Sequence, residues 1–130
     1  MEPNENYKGC AAEYLFATEC SKRGYIVSMP LLDSSPYDAI VDTHKRLYKI
    51  QIKYTAKKPE GNRSSVHLSL SGKIKDRYPL NMVDFFAIYS EYFGGFFIIP
   101  NVGNVKAIRI SKVGKYSNYF SNFAFSNSSS

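Results

Sequence analysis

Apolar residues in the first part of the chain have the spacing of an amphipathic helix. Between Lys8 and Arg23 they recur at steps of three and four residues, which places them along one side of a helix. They are Ala12, Leu15, Phe16 and Cys20. The pattern predicts a helix that ends at Gly24. Glu13 borders this stripe, three residues before Phe16, so we expect its carboxylate to lean toward the buried side.

The spacing then changes to that of β-strands. Residues 25–29 predict a short strand, and residues 30–36, with two prolines and an Asp-Ser-Ser run, predict a loop. Residues 37–53 read YDAIVDTHKRLYKIQIK and alternate between apolar and polar positions on both sides of the polar turn THKR. This pattern predicts an antiparallel β-hairpin in which Asp38 lies directly opposite Gln51.

The predicted hairpin has one polar and one apolar face, because successive side chains of a strand point to opposite sides. The polar face holds Asp38, Ile40, Asp42, Lys49, Gln51 and Lys53. The apolar face, which we expect to point to the core, holds Tyr37, Ala39, Val41, Tyr48, Ile50, Ile52 and Tyr54. A slip of one residue would exchange the two sets, so the apolar pattern itself fixes the register.

The second half of the chain alternates between polar segments and short apolar ones. A polar, basic segment over residues 56–81 contains a possible strand at residues 66–70. Residues 84–89 and 96–99 are apolar and aromatic, and the sequence between them predicts a turn that joins two buried strands. Residues 105–110 predict an edge strand. The aromatic residues near the C-terminus are expected to pack on the domain or on another subunit.

This order of elements predicts an α/β (α+β) fold, with a central mixed β-sheet, flanking helices and the N-terminal helix covering the sheet. The chain has 130 residues, of which 44% are hydrophobic, and its 11 Tyr and 9 Phe are enough to build one core. We expect a single domain over residues 1–125 and a disordered, serine-rich tail over residues 126–130.

The sequence also indicates the cellular environment. No apolar run is long enough to span a membrane, and the N-terminus lacks the basic and then apolar regions of a signal peptide. We therefore expect a soluble, cytoplasmic protein. Cys10 and Cys20 fall about 15 Å apart on the predicted helix, which is too far for a disulfide, so both are expected to be free thiols.

The polar face of the hairpin has side chains that suit metal-assisted phosphodiester hydrolysis. Asp38 and Gln51 offer oxygen ligands of the kind that Mg²⁺ prefers. Lys53 could orient a water nucleophile or stabilise charge that develops on a phosphate. On pattern alone, these residues also fit a solvated strand face with no catalytic role.

The order of these residues resembles that of the PD-(D/E)XK nuclease superfamily. Glu13 on the first helix, Pro36-Tyr37-Asp38 at the opening of a hairpin and Gln51-Ile52-Lys53 on its second strand match that pattern of acid, acid and acid-x-Lys. The resemblance extends over residues 7–55. The later segment VDFFAIY, together with a Gln in place of the second acid, is similar to the branch of bacterial group I intron-encoded homing endonucleases.

The resemblance implies a restriction-endonuclease-like core and a site-specific DNA endonuclease that uses Mg²⁺ or Mn²⁺. Asp38 would be the principal metal ligand, and the Gln51 amide and the Ile52 backbone would be further ligands. Glu13 would bind the metal directly or through water. Lys53 would be the catalytic lysine.

The chain departs from the family pattern at two positions. Tyr37 separates Pro36 from Asp38, so the literal Pro-Asp dipeptide is absent. Gln51 is neutral, so the site holds two negative charges instead of three, and we expect weaker metal binding unless a DNA phosphate supplies the missing charge.

The charge of the chain favours a polyanionic partner, and we expect double-stranded DNA. The net charge is +6, from 17 Lys and Arg against 11 Asp and Glu. The basic residues predicted to contact DNA are Lys45, Arg46, Lys57, Lys58, Arg63, Lys73, Lys75 and Arg77. Neither His44 nor His67 has a second His or Cys at the spacing of a metal site, so both are interpreted as surface residues or phosphate contacts.

Two alternative functions remain open from the sequence. The first is a structure-specific nuclease like the Holliday junction resolvases, whose first helix and hairpin look similar. The second is a non-catalytic DNA-binding module whose site has decayed, with Gln51 as the first lesion. If the enzyme cuts both strands, one small site per chain requires at least two chains, so we expect a homodimer or homotetramer.

Overall fold

The computed structural model describes residues 4–32, 34–70, 82–103 and 106–126. Helix α1 covers Glu5–Lys22. The Asn4 side chain caps it by accepting hydrogen bonds from the backbone N–H groups of Asn6 (3.0 Å) and Tyr7 (3.2 Å), so the helix begins earlier than the apolar pattern indicates. The chain leaves the helix through Gly24, whose φ of 81° suits glycine.

The described residues form seven strands after the helix. They are β1 (Ile26–Ser28), β2 (Ala39–Asp42), β3 (Leu47–Thr55), β4 (Val66–Ser69), β5 (Phe85–Ser90), β6 (Gly95–Pro100) and β7 (Ala107–Ile110). Five of them form one sheet in the order β1-β2-β3-β5-β6, in which β3 and β5 are parallel and the other neighbours are antiparallel. The prediction of a central mixed sheet with a helix is confirmed.

The β2–β3 hairpin has the predicted register. The observed pairs run from Ala39 with Ile50 to Asp42 with Leu47. Asp38 directly precedes β2 and lies outside these pairs, and its N–H donates to the Ile50 carbonyl, so the predicted Asp38–Gln51 pair is not part of the ladder. Within β2 and β3 the side chains of the predicted apolar face are buried or half-buried. Tyr37 is the exception, because it lies outside the strand and packs in the cluster on the opposite side of the sheet.

Helix α1 covers one side of the main sheet. Ala12, Phe16 and Cys20 are fully buried there, in a cluster with residues of β2, β3, β5 and β6. Leu15, which the spacing assigned to the same stripe, is 40% exposed and does not belong to this core. The buried stripe is therefore narrower than the sequence indicates.

The other side of the sheet is covered by β4 and β7, which pair with each other as a separate antiparallel ribbon. The prediction of an edge strand at residues 105–110 is therefore wrong for the main sheet. The alternation of buried and exposed side chains along both strands explains the arrangement. The buried side chains are Val66 and Leu68 on β4 and Ile108 and Ile110 on β7, and the residues between them are exposed. One apolar face of the ribbon packs on Phe86 and its neighbours.

The C-terminal aromatic residues pack on the domain itself. Phe123 and Phe125 are buried in the cluster under α1, and the Phe123 ring lies 6.0 Å from that of Phe16. The Tyr25 hydroxyl donates a hydrogen bond of 2.9 Å to the Phe123 carbonyl. Phe123 and Phe125 are therefore core residues of this domain.

Other expectations can be compared with the described residues only. Cys10 and Cys20 are free, as predicted. Among the helices that the structure describes, none has the length and apolar character needed to cross a bilayer. Residues 127–130 of the predicted tail, like Lys73, Lys75 and Arg77, lie outside the described ranges.

Candidate active site

Asp38 lies where the pairing of β2 with β3 ends. Its backbone N–H donates to the Ile50 carbonyl (2.8 Å), and its carboxylate Oδ2 accepts a hydrogen bond from the Ile52 N–H (2.8 Å). The side chain thus occupies the place that the next residue of a longer β2 strand would take. This position holds the half-buried carboxylate at the edge of the sheet.

The Ile52 backbone points to the same edge. In an extended strand the N–H and C=O groups of one residue face the same neighbouring strand. Because the Ile52 N–H faces Asp38, its carbonyl faces this edge too, beyond Ala39, the first residue of β2. A carboxylate oxygen and a backbone carbonyl therefore lie on the same edge, as the expected ligand set requires.

Gln51 and Lys53 point to the side of the sheet away from α1. They pair with Phe86 and Ile88 of β5, whose side chains are buried in the cluster under the β4–β7 ribbon. Over β2 and β3 this face is half-exposed. Gln51 and Lys53 therefore lie on an open part of the sheet, and the Asp38 charge acts on Lys53.

Glu13 approaches Asp38 from the helix side. Both carboxyl groups line a cavity of about 280 Å³, together with residues of α1 and of the loop before β2. Glu13 is half-buried, as its position beside the apolar stripe predicted. The negative charge of Asp38 acts on it directly.

Burial disfavours the charged forms of three side chains in the site, Glu13, Asp38 and Lys53. Burial raises the pKa of Glu13, and the Asp38 charge raises it further. Burial also raises the pKa of Asp38, against the opposing effects of the Ile52 hydrogen bond and of Lys53. Burial lowers the pKa of Lys53, although Asp38 opposes this shift. The folded chain thus holds two carboxyl groups whose ionised forms would gain from a nearby cation.

This donor set fits an oxygen-binding divalent cation. A cation would offset the penalty for ionising Glu13 and Asp38, and Mg²⁺ accepts carboxylate and carbonyl oxygens while it keeps several waters. In the ranges that the structure describes, no three His, Cys, Asp or Glu side chains form a metal-binding group. The further protein ligands would therefore be neutral oxygens, from the Gln51 amide and the Ile52 carbonyl.

The five predicted DNA-binding residues within the described ranges fall into two separate places. Lys45 and Arg46 lie in the β2–β3 turn, where the Arg46 guanidinium stacks over the Tyr48 ring at 5.1 Å. Lys57, Lys58 and Arg63 follow the far end of β3 and line one cavity of about 270 Å³. Their roles stay predictions.

The sequence patterns did not indicate the positions of Arg109 and Asp84. Arg109 on β7 lines the same cavity as the basic residues after β3. Asp84 accepts a hydrogen bond from the Lys49 N–H and donates its own N–H to the Lys49 carbonyl, both at 2.8 Å, and so fixes β5 beside β3. Neither position has a local signal, because each depends on which strands become neighbours.

Two solved structures with a similar fold are nucleases. The fold resembles that of the bacterial homing endonuclease I-Ssp6803I, with a TM-score of 0.73 and 20% identity over 92% of this chain and 88% of that one. It also resembles Hjc, a Holliday junction resolvase from the archaeal hyperthermophile Archaeoglobus fulgidus, with a TM-score of 0.52 and 14% identity over 86% of this chain and 87% of that one. No curated protein matches the chain by sequence.

Family membership rests on the sequence as a whole. The model of the PD-(D/E)XK endonuclease family matches residues 3–120, which include α1, the β2–β3 hairpin and the β4–β7 ribbon. The match covers far more than the short motifs around the hairpin. With its restriction-endonuclease-like fold, this chain belongs to the PD-(D/E)XK endonuclease family.

Proposed function

We propose that the protein is a DNA endonuclease that depends on Mg²⁺ or Mn²⁺ and hydrolyses phosphodiester bonds. The observation that carries the proposal is the position of the Asp38 carboxylate, held by the Ile52 N–H between Glu13 on one side and Lys53 on the other. Two carboxylates and a lysine at one strand end are the groups that this reaction needs.

The residues divide into metal ligands and a group that acts on the substrate. Asp38, Glu13, the Gln51 amide and the Ile52 carbonyl would hold the metal. A bound divalent cation polarises a phosphoryl oxygen and lowers the pKa of a coordinated water. Lys53 donates hydrogen bonds to the attacking water or to a phosphate oxygen and so stabilises the negative charge that develops there.

We further propose that the enzyme is site-specific, as a homing endonuclease is. Two observations support this subtype, namely the neutral Gln51 at the second acid position and the likeness of the fold to a bacterial homing endonuclease. A structure-specific resolvase is the second candidate, supported by the weaker fold likeness to Hjc. The two differ in substrate, since a resolvase recognises a DNA junction.

One experiment separates these functions. The protein is incubated with supercoiled plasmid, with a four-way junction and with a randomised duplex library, each in Mg²⁺ and in EDTA. Cleavage of selected library sequences in Mg²⁺ supports the homing-type enzyme, and preferential cleavage of the junction supports the resolvase. Binding without cleavage of any substrate, or cleavage that persists in EDTA, would contradict the proposal.

Variants test the site itself. Asp38→Ala and Lys53→Ala should abolish Mg²⁺-dependent cleavage and leave the fold and DNA binding intact, because both side chains lie outside the two hydrophobic clusters. Lys22→Ala is the control, since Lys22 is an exposed cation on α1, paired with Glu19 at 3.6 Å. Full cleavage by both site variants would refute the assignment.

A further inference from the structure

A second site lies beyond the end of β3. The cavity of about 270 Å³ found there lies between the segment that follows β3 and the outer face of the β4–β7 ribbon. Five side chains able to carry positive charge line it, and Glu60 is the one acid in the lining. The basic residues are Lys57, Lys58, Arg63, His67 and Arg109.

The backbone on both sides of this cavity is well fixed. His67 and Arg109 are direct partners in the β4–β7 pairing, and their side chains point outward because their neighbours along each strand are buried. On the other side, the Lys57 N–H donates to the Thr55 hydroxyl (3.2 Å). The Ser111 hydroxyl donates to the Ser64 carbonyl (3.0 Å) and ties the basic segment to the end of β7.

The four Lys and Arg charges in the cavity exceed the single negative charge of Glu60. Within the described ranges, none of the four Lys and Arg side chains takes part in an ion pair, and all four are exposed. Like charges that are brought together repel one another, which weakens the fold unless a polyanion binds. The arrangement is thus better suited to holding an anion than to stabilising the domain.

The cavity also lies close to the candidate active site. The ribbon packs on the side of the main sheet to which Gln51 and Lys53 point. Lys57 follows Lys53 by four residues, a reach of at most about 14 Å. One strand of DNA advances about 3.4 Å along the helix axis per phosphate, so this distance corresponds to about four nucleotides.

We propose that this cavity is a phosphate clamp, which holds the DNA backbone within a few nucleotides of the bond that Lys53 acts on. The inference rests on the proposed function, because the phosphate it assigns belongs to the DNA substrate. Arg109 is its central residue, since a guanidinium on a paired strand can bind a phosphate through two parallel hydrogen bonds. Contacts of this kind position DNA independently of its sequence.

Salt-dependent DNA binding tests the clamp. Affinity for a labelled duplex of random sequence is measured in EDTA, so that no cleavage occurs, over a range of salt concentrations. Arg109→Ala should weaken binding and reduce the slope of log affinity against log salt by about one unit. Arg109→Lys should keep the slope, because the charge remains. Lys22→Ala removes one charge on the helix side of the sheet and should behave as wild type.

A second measurement identifies the anion. In NMR titrations, a short duplex should shift the side-chain N–H signals of Arg63 and Arg109, and inorganic phosphate should shift the same signals at higher concentration. Shifts caused by the duplex alone would assign the site to the DNA backbone and not to free phosphate. If neither ligand shifts these signals, the clamp is refuted.

The clamp and the proposed function can fail separately. If wild type cleaves DNA in Mg²⁺ while Arg109→Ala and Lys22→Ala have the same salt slope, the nuclease proposal stands and the clamp is wrong. If Arg109→Ala has a reduced salt slope, Lys22→Ala has the slope of wild type and no substrate is cleaved, the clamp proposal holds and the protein only binds DNA.

Discussion

Asp38 combines a structural and a chemical constraint in one side chain. Its carboxylate replaces a missing strand partner for the Ile52 N–H, and at the same position it meets the charges of Glu13 and Lys53. Burial opposes the ionisation of Asp38, so the folded chain without a bound cation is less stable when this carboxylate is charged. Active sites commonly sacrifice stability in this way.

Stability should therefore depend on pH through Asp38. The raised pKa means that the folded chain binds this proton more readily than the unfolded chain does. The resulting stabilisation is complete below the unfolded pKa and is lost as the pH rises through the folded pKa. Asp38→Asn, whose carbonyl can still accept the Ile52 N–H, should be more stable than wild type at pH 7 in EDTA.

Thermal unfolding at several pH values checks this prediction. The advantage of Asp38→Asn should shrink as the pH falls through the raised pKa of Asp38, because wild type then becomes protonated. Addition of Mg²⁺ at pH 7 should raise the melting temperature of wild type and leave that of Asp38→Asn nearly unchanged. A stability difference that is the same at every pH would contradict the burial of the charged carboxylate.

Substitutions at Gln51 distinguish a functional neutral metal ligand from a decayed site. Gln51→Glu adds a negative charge on the open face beside Asp38, so Mg²⁺ binding should tighten and activity should persist at lower Mg²⁺. Gln51→Leu keeps the shape, removes the oxygen and should lose most activity. Calorimetric metal titration and cleavage assays measure both effects.

The outcomes for Gln51 differ sharply. If wild type is inert and only Gln51→Glu cuts DNA, the chain is a decayed nuclease and the DNA-binding interpretation holds. If Gln51→Leu cuts as well as wild type, this residue is not a ligand.

At the scale of elements, β6 and the C-terminal segment pack closely enough to limit substitution. A Cβ atom added at Gly95, the first residue of β6, would lie 2.8 Å from the Phe120 ring. That ring in turn packs edge to face on Phe97, with the ring centres 4.9 Å apart. Glycine at this position therefore lets the C-terminal segment pack against the sheet.

Two glycine substitutions should have opposite effects on stability. Gly95→Ala should lower the free energy of unfolding by about 1–3 kcal/mol through overpacking against Phe120. Gly9→Ala in α1, where an added Cβ meets no atom within 4 Å, should raise it by about 0.5–1 kcal/mol. Denaturant unfolding measures both. A stabilising Gly95→Ala would show that Phe120 does not pack there.

At the scale of the whole molecule, double-strand cleavage requires more than one chain. Each chain offers one candidate site at the start of β2, so we expect a homodimer or homotetramer on DNA. Light scattering of the complex with a cleavable duplex in Ca²⁺, which should support binding without turnover, would give the mass. A complex of one chain per duplex, together with nicking of plasmid only, would contradict this prediction.

The sequence by itself determined the β2–β3 hairpin and the residues it presents. Alternation with a period of two is a local property, and only one register buries the apolar set, so Ala39 had to pair with Ile50. Glu13 could be assigned to the helix border for a similar reason. The resemblance to PD-(D/E)XK nucleases depended on these same positions, and the family match confirms it.

Only the tertiary structure decided how distant segments meet. The parallel pairing of β3 with β5, the separate β4–β7 ribbon and the burial of Phe123 and Phe125 all join residues far apart in sequence. The sequence of an apolar strand indicates that one face must be buried, but it does not identify the partner that buries it. Residues 105–110 therefore fitted an edge strand of the main sheet as well as a strand of a separate ribbon. For the same reason Arg109 could not be grouped with Lys57 until the ribbon was placed.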